Sequence, residues 1–308
     1  MLRIMICVNP NKDKELTNTK KLLDFFKKYD VRIFMSDIFK RPYFDNPPLS
    51  DSLLSEYDIE YIPEYAAFKK ADICVVFGGD GTILKIAKKA SQGGAYIVGL
   101  NMGRIGYLAE LEIGEIELFD KVLNVSSVDD IEELEGVSVD NRMMLKCEIV
   151  RGNNVVYTAL ALNEVVISKG AVSRMAGLNL RCDGKNIISY RADGIVISTP
   201  TGSTAYCMSA GGPIIDPGLD CICAVPVCPY MCLNSGAVVF SGSSVIEVQF
   251  KADKINEAFC TVDGKSTKSI YDGDIIRITK APTVTKLLRL KDTDFYSRLN
   301  EKMNLANN

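Results

Sequence analysis

The stretch ADICVVFGGDGTILKIAKKA, residues 71–90, constrains this chain more than any other. An apolar run from Ile73 to Phe77 meets Gly78-Gly79-Asp80-Gly81-Thr82, and an amphipathic run from Thr82 to Ala90 follows. This is the order strand, permissive turn, helix, in which the carboxyl end of a parallel strand brings the backbone to a ligand. Neighbouring segments repeat the alternation. Leu2 to Val8, Val31 to Met35 and Ala95 to Leu100 read as short buried strands. Between the first two, Glu15 to Lys28 places Leu16, Leu22, Leu23, Phe25 and Phe26 at roughly helical spacing. Strands alternating with helices imply an α/β domain, Rossmann-like, with a mostly parallel sheet.

Past about residue 137 the texture changes. Asp183-Gly184, Asp263-Gly264 and Asp272-Gly273 are hairpin signals between short strand-like runs. Leu178, Leu180 and Cys182 alternate with Asn179 and Arg181, and Ile246, Val248 and Phe250 alternate with Glu247 and Gln249. The expectation is an all-β C-terminal domain of packed sheets over 113–284. The α/β domain then spans 1–112 together with about 285–308, where Asp294 to Met303 reads as a helix returning to it.

The 308 residues hold ample apolar material, and Lys plus Arg at 36 nearly balances Asp plus Glu at 39. No basic surplus invites nucleic acid or an anionic membrane. No stretch approaches the roughly 18 apolar residues of a spanning helix, so a cytoplasmic protein is expected. Histidine is absent, which excludes Ser-His-Asp and Cys-His catalysts. A general base must come from Asp, Glu, Lys, Tyr or Cys. Four of the ten cysteines crowd into CICAVPVCPYMC (Cys221, Cys223, Cys228 and Cys232) without paired C-x-x-C knuckles. They read as small buried hydrophobes or free thiols, with a metal site as the alternative.

Three stretches carry chemistry. In GGDGT, the glycines let backbone N–H groups approach phosphate, and a helix N-terminus favours anions. A carboxylate there fits a nucleotide site in which Asp80 acts as a base or faces a metal. The plainer alternative is a tight turn with Asp80 capping the helix. No Gly-Lys-Ser/Thr follows, so this is not a Walker A loop. In LNEVVISKG, the Asn163 amide beside the Glu164 carboxylate can read ribose hydroxyls or an adenine amino group, or simply begin a strand. In DGIVISTPTGSTAY, the strand Ile195 to Ile197 runs into Ser198-Thr199-Pro200-Thr201-Gly202-Ser203, dense in hydroxyls, and Tyr206 offers a ring to a base or sugar. Gly211-Gly212-Pro213 makes another permissive turn.

GGDGT, NE ahead of VVI, and TPTGSTAY with SAGGP, in that order, resemble the NAD kinases. LNMGRIGYL (100–108) and the terminal FYSRLNEKM look like that family too, so the resemblance spans about residues 70–303. It implies transfer of the ATP γ-phosphoryl group to the 2′-hydroxyl of the adenosine ribose of NAD, giving NADP. Asp80 would be the base, Gly78, Gly79 and Thr82 the phosphate loop, and Gly81 would lie against the dinucleotide. Asn163 and Glu164 would hold NAD, with Arg174, Arg191, Asp193, Thr204, Ala205, Tyr206 and Ser209 lining the nucleotide site. The backbone near Cys228 and the side chain of Lys265 are further carry-overs. Mg²⁺ or another divalent cation would arrive with ATP rather than on protein side chains, and polyphosphate stays open as a donor. Members are commonly homodimers or homotetramers. The sequence departs from the family at Tyr230, where a histidine is usual, at Gly236-Ala237 for Arg-Pro, and at Lys265 for glutamine. Two rivals remain: a dinucleotide-binding sensor without turnover, and a lipid kinase, which would share GGDGT but lack NE and TPTGSTAY.

Overall fold

The structure, a computed structural model, describes residues 1–41, 52–103, 106–125, 127–170, 175–230, 236–251 and 258–306. It divides into two compact units, Met1–Asn141 with Thr285–Asn308, and Arg142–Val284.

The first unit is built on parallel strands. β1 (Leu2–Cys7), β2 (Val31–Ser36), β3 (Ile59–Ile62), β4 (Ile73–Phe77) and β5 (Tyr96–Asn101) lie in the order β5-β4-β1-β2-β3. The register pairs Ile4 with Ile73 and Leu2 with Val31. Every residue of β4 is buried, as a central parallel strand covered on both faces requires. Helix α1 (Thr17–Phe26) turns Leu22, Leu23, Phe25 and Phe26 inward and leaves its lysines outside. α2 (Glu64–Lys70) buries Ala67 and Phe68, and α3 (Asp80–Gly93) buries Ile83, Ile86, Ala87 and Ala90. The two-residue strand β6 (Leu111–Glu112) pairs with β5.

The first unit runs on to Asn141, past the expected boundary at 112/113. Residues 113–123 and 128–133 form 3-10 turns and a short helix whose Phe119, Val122, Leu123 and Ile131 sit in the first unit's core with Phe26, Leu100 and Leu288. Burying those side chains, at about 1.5–3 kcal/mol each, ties the segment to this unit.

The second unit consists of antiparallel strands. β7 (Ser138–Arg151) and β8 (Asn154–Ala161) make a hairpin. β9 (Glu164–Lys169), β12 (Gly194–Ser198), β13 (Cys221–Val227), β14 (Val238–Ser241), β16 (Ala258–Val262) and β17 (Ser266–Ile270) form one sheet in the order β14-β13-β12-β9-β16-β17. β10 (Ala176–Cys182), β11 (Lys185–Ala192), β15 (Ile246–Lys251) and the first part of β18 (Ile275–Arg289) pair in the order β11-β10-β15-β18. Leu178, Leu180, Val248 and Phe250 from these strands meet Ile195, Ile197 and Cys260 from the other sheet in one core.

Two of the three Asp-Gly turns close hairpins, at Asp183-Gly184 and Asp263-Gly264. Asp272-Gly273 does not. It turns the chain between β17 and β18, which belong to different sheets, with the Asp274 N–H donating to the Tyr271 carbonyl at 3.0 Å. A turn dipeptide sets the local reversal, while pairing depends on the cores the flanking strands join. The chain ends in α4 (Phe295–Ala306), in the first unit.

Candidate active site

In the first unit, β4 delivers the chain to Gly78 and α3 opens at Asp80. Asp80 does not cap its own helix. Its carboxylate accepts three consecutive backbone N–H groups from another loop: Tyr107 on Oδ2 at 2.8 Å, and Leu108 and Ala109 on Oδ1 at 3.0 and 3.3 Å. A Cβ at position 106 would stand 2.0 Å from Asp80 Oδ1, so only glycine lets this loop approach so closely.

The same loop is held from behind. Arg289 Nη1 donates to the Leu108 carbonyl at 2.9 Å, and Arg298 Nη1 to the Tyr107 carbonyl at 3.2 Å. Arg289 is 4% exposed and pairs with Asp140 at 2.9 Å. Lys302 Nζ lies 3.8 Å from Asp80 Oδ2 and 3.7 Å from the centre of the Tyr107 ring. Burial lowers the lysine's pKa, and the nearby Asp80 opposes that shift. Two carboxylate oxygens offer about four acceptor positions. Three are filled by the loop, and the Asp80 side chain stays 30% exposed with its remaining position on Oδ2, near Lys302.

In the second unit a similar device holds the corner Leu162-Asn163-Glu164. The Asp263 carboxylate accepts their N–H groups at 2.8, 2.8 and 3.2 Å. On the carbonyl side, Thr199 Oγ1 donates to Leu162 O at 2.6 Å and the Thr199 N–H to Asn163 O at 2.9 Å. Gly202 packs on this corner so tightly that a Cβ there would lie 2.1 Å from Asn163 O.

Glu164 is 6% exposed, and its Oε2 is buried without a hydrogen-bond partner. Burial pushes its pKa up to about 7, helped by the charges of Asp263 and Cys207, while the backbone N–H of Tyr206 pulls the other way. Thr201 Oγ1 is also buried and unpartnered. Such atoms cost free energy unless a ligand meets them.

A family model described as the ATP-NAD kinase N-terminal domain matches residues 4–128, and one described as the ATP-NAD kinase C-terminal domain matches 162–290. The NAD kinase of Thermoanaerobacter sp. strain X514 is 33% identical over 303 residues, covering 98% of this chain and 99% of that protein. The chain belongs to the NAD kinase family. The Acetivibrio thermocellus NAD kinase is 35% identical over 303 residues, 98% of this chain and 97% of that one. In fold, the chain resembles yeast NADH kinase, solved with NADH, at a TM-score of 0.81 and 22% identity, covering 99% of this chain and 88% of that one. An Archaeoglobus fulgidus NAD kinase solved with ATP superposes at 0.69 and 24% identity, covering 99% of each. NAD kinases are phosphotransferases with an alcohol group as acceptor.

The residues that the family resemblance singles out fall in both units. Gly78, Gly79, Asp80, Gly81 and Thr82 share one strand-to-helix turn. Asn163 and Glu164 are joined by Thr201, Gly202 and the Tyr206 N–H. Thr204 ends a 3-10 turn, Ala205 links it to a short helix, and that helix carries exposed Tyr206 and Ser209. Arg191 accepts the Tyr230 N–H on its carbonyl at 2.7 Å, and Asp193 pairs with Lys169 at 3.2 Å. Cys228 is exposed at φ +48°, and Lys265 is exposed in the turn beside Asp263.

Arg174 lies outside the described residues, as does Cys232. Cys221 and Cys223 pack with Val196, Cys207 and Ile215. Sequence reasoning missed the supports: the Gly106–Ala109 loop, Arg289, Arg298, Lys302, and Asp263 as more than a turn. Gly106 within LNMGRIGYL and the one-turn spacing of Arg298 and Lys302 were the available signals.

Proposed function

We propose that this protein transfers the γ-phosphoryl group of ATP to the 2′-hydroxyl of the adenosine ribose of NAD, giving NADP and ADP. The observation that carries the reading is Asp80: a carboxylate fixed by three N–H donors and part exposed, with Oδ2 facing Lys302 Nζ at 3.8 Å.

The ribose hydroxyl donates to the part-exposed Asp80 carboxylate. As its oxygen forms a bond to the γ-phosphorus and the bond to the ADP oxygen breaks, the proton passes to Asp80. Phosphoryl transfer asks a protein mainly for alignment and charge stabilisation. The N-terminus of α3, reached through the glycine turn, favours the negative charge of the phosphates. Asn163 and Glu164 hold NAD, whose hydroxyls or amine meet the unpartnered Glu164 oxygen. Tyr206 gives the base or sugar a ring, and Lys265 belongs to the turn whose Asp263 holds the Leu162–Glu164 corner.

Mg²⁺ or another divalent cation accompanies ATP and neutralises phosphate charge. Among the described residues no group of three or more His, Cys, Asp or Glu side chains is placed to hold a metal ion, and Asp80 is mostly engaged. On this reading the cation is carried by the phosphates of ATP, where it offsets their charge. Family membership supports a homodimer or homotetramer and a cytoplasmic location. No described helix is long and apolar enough to cross a membrane.

The test incubates purified protein with NAD, ATP and Mg²⁺ and follows NADP with an NADP-specific dehydrogenase. Wild type forms NADP, and Asp80→Asn loses about a hundredfold or more, the scale of general-base help. Near wild-type turnover in the mutant would remove Asp80 as the base. NAD binding without NADP, from ATP or polyphosphate, would favour the sensor reading. Phosphorylation of diacylglycerol in place of NAD would favour a lipid kinase.

A further inference from the structure

The aspartate of the Asp263-Gly264-Lys265 turn makes contacts that a hairpin does not need. The hairpin closes through the Lys265 N–H on the Val262 carbonyl at 3.1 Å, and the Asp263 carboxylate takes no part in that bond. It accepts instead the N–H groups of Leu162, Asn163 and Glu164, about a hundred positions away in sequence. Its own N–H donates to the Glu164 carbonyl at 3.0 Å. With Thr199 holding the carbonyls of Leu162 and Asn163, this corner is fixed on donor and acceptor sides alike.

The arrangement has costs. Asp263 sits at φ +47°, uncommon for a residue with a Cβ. Its charge also disfavours ionisation of the Glu164 carboxyl. Asn or Gly would serve the turn alone without the second cost.

We infer that Asp263 is a positioning residue of the NAD site, fixing the backbone of Asn163 and Glu164 so that the amide and the carboxyl project in one orientation toward the dinucleotide. The inference rests on the preceding reading that these two residues hold NAD.

The experiment compares full-length wild type, Asp263→Asn and Asp263→Ala by calorimetric titration with NAD, steady-state kinetics and thermal unfolding. Asp263→Asn keeps the shape of the side chain but turns an NH₂ group toward N–H donors. In both variants Kd and KM for NAD rise by about tenfold or more, as expected when charge-assisted bonds that fix two ligand-binding residues are lost. At saturating NAD, kcat stays within about threefold and KM for ATP is unchanged. Asn163→Ala costs less affinity in the Asp263→Ala background than in wild type, because the two act as one unit.

A folded Asp263→Asn protein that binds NAD within about twofold of wild type overturns the inference, as does a fall in kcat at constant KM. If Asp263→Ala does not fold, the asparagine variant decides. Wild type that binds no NAD overturns the functional reading and this inference together. Wild-type binding matched by Asp263→Asn overturns this inference alone.

Discussion

Replacing Glu164 by glutamine should make the ligand-free protein more stable at neutral and alkaline pH while weakening its hold on NAD. Glu164 is buried, one of its oxygens has no partner, and Asp263 lies beside it. Its carboxyl therefore ionises at about 7 in the folded chain instead of the ordinary 4.5. Below about pH 4.5 the group is protonated in both states and costs nothing. Between about 4.5 and 7 the unfolded chain has released the proton and the folded chain has not, so stability falls as pH rises. At 1.36 kcal/mol per pH unit across that window, the full penalty is about 3 kcal/mol and is complete above pH 7. Glutamine keeps the shape without the charge. Urea unfolding followed by far-ultraviolet circular dichroism at several pH values measures the difference. The stability of Glu164→Gln minus that of wild type should grow by about 2 kcal/mol between pH 5 and pH 8. Parallel pH profiles for the two proteins, or a glutamine variant less stable than wild type at pH 8, would refute the reasoning. The gain in stability should coincide with a higher Kd for NAD, since a strained carboxylate is what a ligand donor relieves.

Gly106→Ala must displace either the loop or the Asp80 carboxylate, because the new Cβ would lie 2.0 Å from Oδ1. Turnover should fall by about a hundredfold, the usual cost of an ångström of misplacement, with far-ultraviolet dichroism unchanged; preserved turnover would mean that the loop does not set Asp80's position. Lys302→Met removes the cation 3.8 Å from Asp80 Oδ2. A part-exposed pair of this kind is worth about 1 kcal/mol, so kcat should fall about fivefold and recover in Lys302→Arg, whereas equal losses in methionine and arginine variants would argue against a role for the charge.

Much of this arrangement was legible from period and punctuation. β4 and the turn after it follow from an apolar run stopped by glycines, and β10 and β15 from alternation of apolar buried and polar half-buried residues. Residues 113–123 and 128–133 were not, because their apolar residues fall in 3-10 turns and a single short helix, which match neither a sustained helical nor a strand period. The partners of Asp80 and Asp263 were hidden for a different reason. Both carboxylates bind backbone N–H groups, which every residue but proline carries, so no residue type at 107–109 or 162–164 advertises the contact. Even the arginines behind the Asp80 loop lie 181 and 191 positions away from the carbonyls they hold.

That separation sets an order of assembly. The loop that braces Asp80 leans on Arg289, Arg298 and Lys302, and all of Arg142–Val284 intervenes in the chain before those residues are made. While the protein is being synthesised, the glycine turn and the parallel strands emerge first, the antiparallel unit next, and the braces afterwards. A nascent chain can therefore complete the Leu162–Glu164 corner, which Asp263 holds, while the Asp80 carboxylate still lacks its support; under the proposed roles, the capacity to bind precedes the capacity to react.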